Sequence, residues 1–298
     1  MPDGSSSRKT KAPPLRRVDE IGYGPQLFIH HCFPYKKPSV DKLINGCWIR
    51  SNGQRTLIMQ PAPSMGVPYG SYPRLLTIYI ASRAIRENSR HLVLGRSISE
   101  FAKILGIPRT CGAHTGLTKL RTQLRALLST RFILQEYRNL SADDSVVLQE
   151  DQRFIQFSDA ATLLWMREIP NRKQRGGSWK LEAVEIELSE TIFEEFRKHC
   201  IPVQQDAIQA LRSSPLALDI YQWLAHRFYR LTRPLLIPWD QLARQFGTST
   251  VVHSFRQSFI KALARVLEVY PEAQCQPENL GLKLYPSPTP VSTSRFYV

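Results

Sequence analysis

"TGLTKLRTQLRALLSTRF" (Thr115–Phe132) decides how the chain is read. Leucine recurs every third or fourth residue, and most other positions hold Thr, Lys, Arg, Gln or Ser with no acid. At 100° per residue, Leu117, Leu120, Leu124, Leu127 and Leu128 share one helix face. Thr115, Thr118, Lys119, Thr122 and Ser129 lie opposite, with Arg125 beside them. A surface helix that only meets water usually mixes acids with bases, because i,i+4 pairs stabilise it. Hydroxyls and cations alone suit a face that meets phosphates and base edges.

The stretch has a counterpart, "HSFRQSFIKALARVLEVYP" (His253–Pro271). Phe255, Phe259, Leu263, Val266 and Leu267 form its apolar arc, and Ser254, Gln257, Ser258, Lys261 and Arg265 its polar one. Gln can pair with adenine, and Arg or Lys with guanine. The surroundings repeat as well. "SISEFAKILG" precedes the first helix and "PWDQLARQFG" the second, each ending on a glycine, Gly106 and Gly247, 141 residues apart. Short β-rich runs "HLVL" and "LLIP" come before these, and long amphipathic helices around Tyr79 and Tyr221 before those. "RFILQEY" and "RFIQF" follow the first helix as a hairpin, and "LGLKLYP" follows the second as a strand.

A period this long means a duplicated domain rather than a solenoid. Helix, short strand, helix, turn, helix, hairpin is the order of a winged helix–turn–helix, whose third helix enters a major groove. The expectation is therefore an α+β, mainly helical fold with two tandem winged helix–turn–helix domains after a partly disordered N-terminal region. The second helix follows the tighter turn, Gly247–Val252 against Gly106–His114, which makes it the better direct reader.

The expected boundaries are a disordered basic arm at 1–20, an extension at 21–68, domains at 69–180 and 181–290, and a tail at 291–298. In the extension, "QLFIHHCF" and "RTLIMQ" look like short strands. Ser71 is the expected N-cap of the first long helix, and Ser97 with Glu100 has capping-box spacing. Pro108 and Gly112 supply the turn. In the basic loop "PNRKQRGGSWK" (Pro170–Lys180), Arg172, Lys173 and Arg175 are candidate phosphate contacts. The acidic run "LEAVEIELSETIFEEF" beyond it would repel phosphates, so it belongs away from DNA or at a protein contact.

Charge supports a polyanionic partner. The net charge is +15, and residues 1–130 hold 20 basic against 6 acidic residues. Within the more balanced second half, residues 212–265 still hold 8 basic against 2 acidic. No apolar run reaches the roughly 18 residues of a membrane span. The N-terminus lacks the apolar core of a secretory signal. Five scattered cysteines (Cys32, Cys47, Cys111, Cys200, Cys275) suit a reducing cytoplasm. No GxxxxGK[ST] loop occurs, and no cofactor or catalytic group is expected. His30, His31 and Cys32 with Cys47 were weighed as a metal site, but adjacent histidines on a strand face opposite ways. The same adjacency argues against a strand-nicking enzyme. Trp165 and Trp223 read as core, while Arg227 falls unexplained on an apolar arc.

Five stretches together resemble the plasmid-encoded RepA-type replication initiators: "GVPYGSYPRLL" (Gly66–Leu76), "SISEFAKILGIP" (Ser97–Pro108), "RSSPLALDIYQWLAHRFYRL" (Arg212–Leu231), "IPWDQLARQFG" (Ile237–Gly247) and "GLKLYPSP" (Gly281–Pro288). The first 65 residues take no part. The resemblance implies a bacterial cytoplasmic protein that binds repeated double-stranded DNA sites at a plasmid origin and helps open an adjacent AT-rich segment. It also implies the host initiator and replicative helicase as partners, autoregulation, and a homodimer as one form. The rival from another class is a winged-helix transcriptional regulator without initiator activity.

Overall fold

The computed structural model describes residues 21–95, 98–107, 116–142, 145–167, 179–247 and 252–291. The arm 1–20, Ser97, Pro108, Gly112, Thr115, Arg172, Lys173 and Arg175 lie outside them.

The extension is built first. β1 (Ile21–Pro25) leads into α1 (Gln26–His30), and β2 (Trp48–Asn52) and β3 (Arg55–Gln60) form a hairpin. "RTLIMQ" is thus a strand as expected, whereas "QLFIHHCF" begins as a helical turn. The reason is tertiary: Leu27, Phe28 and Ile29 are all buried, which a strand of alternating faces could not achieve against one core.

The chain continues through α2 (Ser71–Glu87), β4 (His91–Gly95), α3 (Ile98–Ile104) and α4 (Gly116–Leu128). Gly70, at φ 76°, occupies the N-cap of α2, so Ser71 is its first residue and not its cap. α3 stops at Gly106, whose φ of 66° an L side chain resists. β5 (Arg131–Ala142) and β6 (Ser145–Gln156) pair along their length as the expected hairpin. Their neighbour is β3, giving the order β2-β3-β5-β6. Register explains this: Met59 pairs with Phe132 and Phe132 with Ile155, one fully buried row across three strands. The strand beside β4 is β8 (Trp179–Leu188), which also pairs with β7 (Ser158–Arg167). The hairpin against the short strand is therefore β7–β8, and residue 180 falls inside it.

α5 (Glu190–His199), capped by Ser189 accepting from the Ile192 amide, leads to β9 (Cys200–Gln204), which pairs antiparallel with β1. α6 (Gln205–Leu211) and α7 (Pro215–Phe228) follow, the latter with Ser214 as N-cap and proline at its start. β10 (Leu235–Pro238), α8 (Trp239–Phe246), α9 (Val252–Val269), β11 (Cys275–Pro277) and β12 (Gly281–Leu284) complete the chain, in sheet order β10-β12-β11. Helix and strand are mixed throughout, with more strand than a mainly helical chain would have.

The buried side chains form one contiguous cluster. Aromatic edges interlock in it: Trp223 lies 5.5 Å from Phe246, and Phe246 5.3 Å from Phe259. Trp223 is core as expected, and Arg227, unexplained from sequence, places its guanidinium 5.6 Å from the Trp223 ring.

Arg74 of α2 meets Asp219 of α7 in a buried bidentate pair, Nε to Oδ1 and Nη2 to Oδ2, each 2.7 Å. The remaining N–H groups donate to the carbonyls of Phe33, Pro34 and Gly70. On the other flank, Arg50 donates to the carbonyls of Cys32 and Gln245, and Asn52 to the Gln245 side chain. Gly247, with φ 57°, lies so close to Arg50 that a Cβ would collide with the guanidinium.

Asp219→Ala strands a buried guanidinium and should cost about 3–5 kcal/mol. The paired change Arg74→Met/Asp219→Leu should recover much of that loss. Urea unfolding midpoints of the two variants check this; a loss below about 1 kcal/mol for Asp219→Ala would contradict it.

Candidate nucleic-acid interface

α4 buries Leu120, Leu124, Leu127 and Leu128. Lys119, Thr122 and Arg125 are exposed and Thr118 is half-buried, so the described part of the polar face is displayed as read. Thr122 Oγ1 donates back to the Thr118 carbonyl at 3.0 Å. Gln123 was not singled out by the sequence. It is buried, and its side-chain oxygen accepts from the Tyr69 amide at 2.7 Å, fixing the entry to α2 against α4.

α9 buries Phe255, Phe259, Ala262, Leu263 and Val266. Ser254, Gln257, Ser258 and Lys261 are exposed on the other side. Gln257 Nε2 lies 3.1 Å from His253 Nε2. Arg265 is half-buried, and its Nη2 donates to Ser213 Oγ at 3.1 Å.

That bond ties α9 to the corner between α6 and α7. Ser213 and Arg212, in the corner between α6 and α7, line a groove of about 850 Å³ that Thr118, Lys119 and Thr122 also line. Lys36 and Lys37, after α1, add two more cations, and none of the groove's described lining residues is an acid. Sequence reading missed Lys36, Lys37 and Arg212, because a basic pair in a loop has no periodicity to tie it to a helix 80 residues away.

The acids are engaged elsewhere. Arg90 meets Asp159 at 2.7 Å and Glu190 at 3.0 Å. Buried Glu195 pairs with Arg153 at 2.8 Å, and Glu194 with Lys198 at 2.8 Å. No described residue of β8 or α5 lines the groove.

This geometry defines a mixed α/β chain with two acid-free helical faces, one lining a basic groove and the other bonded to the groove's corner. Crystals of selenomethionine derivatives of domain 2 and domain 3 of RctB have a similar fold, with a TM-score of 0.57 and 12% identity over 90% of this chain and 99% of that one. A second structure, of RctB domains 2-3, aligns with a TM-score of 0.47 and 13% identity, over 80% of this chain and 88% of that one. Comparison with curated protein sequences gives no match. The family described as plasmid-encoded RepA protein matches residues 67–241, more than half of the chain. The chain therefore belongs to the plasmid-encoded RepA family, a family of replication initiators.

The histidines weighed as metal ligands have another setting. The strand premise is corrected, since His30 ends α1. Gln26 Nε2 lies 3.1 Å from His30 Nε2 and 3.0 Å from His226 Nε2, an amide donor between two neutral rings. Among the described residues no group of three or more His, Cys, Asp or Glu could hold a metal. Burial lowers His30 and His226 to about 4, helped by each other's charge at His30 and by Arg227 at both. Burial also lowers His31, to about 3. Between the ordinary value near 6.5 and these values, the unfolded chain binds more protons than the folded one. Stability should thus be full above about pH 6.5 and fall as the pH drops toward 4. Urea midpoints at pH 7 and pH 5 test this: the native chain should lose stability over that interval, and His226→Gln should lose less.

Proposed function

We propose that this chain binds repeated duplex sites at a plasmid origin through two winged-helix units. The observation that carries the reading is that the acid-free face of α4 borders a basic groove, and that Ser213 of that groove accepts a hydrogen bond from Arg265 on the acid-free face of α9. α9 is the principal reader: Gln257, Lys261 and Arg265 reach base edges, while Ser254 and Ser258 let the backbone come close. Thr115, Thr118, Lys119, Thr122 and Arg125 of the first unit contact the backbone or a second stretch of sequence. Its wing is β7–β8, whose connecting loop carries Arg172, Lys173 and Arg175 onto flanking phosphates. The first unit starts near residue 69 and takes in β8, and the second lies within 181–290.

Two linked contacts raise affinity, because the second forms at high effective concentration. Bound on repeated sites, the protein promotes opening of neighbouring AT-rich duplex in the bacterial cytoplasm and brings in the host initiator and helicase. As a homodimer it represses its own gene. The cycle needs no nucleotide, metal or other cofactor.

Lys261→Ala/Arg265→Ala should abolish site-specific retardation of an origin fragment while far-ultraviolet circular dichroism stays native. A folded double variant that still selects the origin over random DNA removes α9 from the mechanism.

A further inference from the structure

We infer that the groove between α4 and the α6–α7 corner holds backbone phosphates and joins the two reading helices into one track along a single duplex. This rests on the reading of α4 and α9 just proposed. Lys36, Lys37, Lys119 and Arg212 line the groove, and all four are exposed. The N-terminus of α2 opens into it through Gly70, Ser71 and Tyr72. No side chain caps that 17-residue helix and no acid sits in its first turn, so the positive end of its dipole faces the groove. Tyr35 also lines this wall, with its hydroxyl buried.

Continuity favours a polyanion over an isolated phosphate. The corner residues Arg212 and Ser213 are shared: both line the groove, and Ser213 accepts from Arg265 on α9. The cations thus continue beyond the groove, from Lys119 through Arg212 to Arg265 and Lys261. Successive phosphates of one strand could follow them from one helix to the other. The groove's part of the track carries no sequence information, since Lys36, Lys37, Lys119 and Arg212 offer charges to phosphates, and base reading stays with α9.

The experiment is the salt dependence of binding for Lys36→Ala/Lys37→Ala/Arg212→Ala, measured on an origin duplex and on a random duplex of equal length. Each lost phosphate contact removes about 0.9 from the slope of log Kobs against log salt. The expected slope is shallower by about 2.7 on both duplexes, with the preference between them unchanged. Arg212 also donates to the Gln209 carbonyl at 2.6 Å. Should the triple variant not fold, Lys36→Gln/Lys37→Gln should flatten the slope by about 1.8. An unchanged slope overturns the track, and if Lys261→Ala/Arg265→Ala still loses the origin, the helix reading stands without it. An unchanged slope with weakened binding of inorganic phosphate also overturns it, assigning the groove to free anions. If neither set of changes alters binding, the helix reading itself fails.

Discussion

The Arg74–Asp219 pair holds the architecture together. It bonds the first long helix of one half to the first long helix of the other, at positions only 2% and 3% exposed. A buried ion pair is weak evidence of net stability, because desolvating two charges offsets most of their attraction. Its effect is on geometry. All five guanidinium N–H groups are engaged by a fork that tolerates little rotation, and three go to carbonyls of Phe33, Pro34 and Gly70. One side chain thereby fixes α2, α7 and the loop after α1 together. The groove lies directly beyond, lined by Tyr35, Lys36 and Gly70, so its cations inherit their placement from this buried charge.

The extension turns out to be the material between the halves. β1 pairs with β9, α1 packs on α7, and Arg50 and Asn52 of β2 bind the end of α8. A Cβ at Gly24 would sit 2.5 Å from the Gln222 side-chain oxygen of α7, so that side chain would have to move. Gly247 holds the same relation to Arg50 at the turn into α9. Close backbone approach at both places is how a segment without long elements of its own becomes part of a shared core.

What was legible in the sequence was whatever repeats at short range. The faces of α4 and α9 were readable because leucine and phenylalanine recur at helical spacing, and the glycine stops because only glycine suits the left-handed conformation at Gly106 and Gly247. The five motifs also carried the family. The partner of β4 was not legible. Two β-rich runs adjacent in sequence pair with each other, but which sheet they join depends on whether Phe132 meets Met59, a contact between residues 73 apart. α1 was misread for the same reason, since the three-residue apolar run Leu27–Ile29 fits a strand or a buried helix equally well. Lys36, Lys37 and Arg212 were invisible as a set because only the folded chain brings the α1 loop to the α6–α7 corner.

A duplicated unit does not by itself give two contacts on one DNA molecule. If the halves were joined by a flexible linker, each binding event would have to fix their relative orientation, and that entropy would be lost on association. Here the two parts share one core and a buried ion pair, and the extension pairs its first strand with β9, so the orientation is set during folding. On the proposed reading the cost is fidelity to one geometry: a rigid pair of reading helices would accept only sites whose two contacted stretches stand at the separation and helical phase the protein presents. Sequence preference would then come from two sources, the base edges that α9 is proposed to meet and the spacing enforced by the buried Arg74–Asp219 salt bridge.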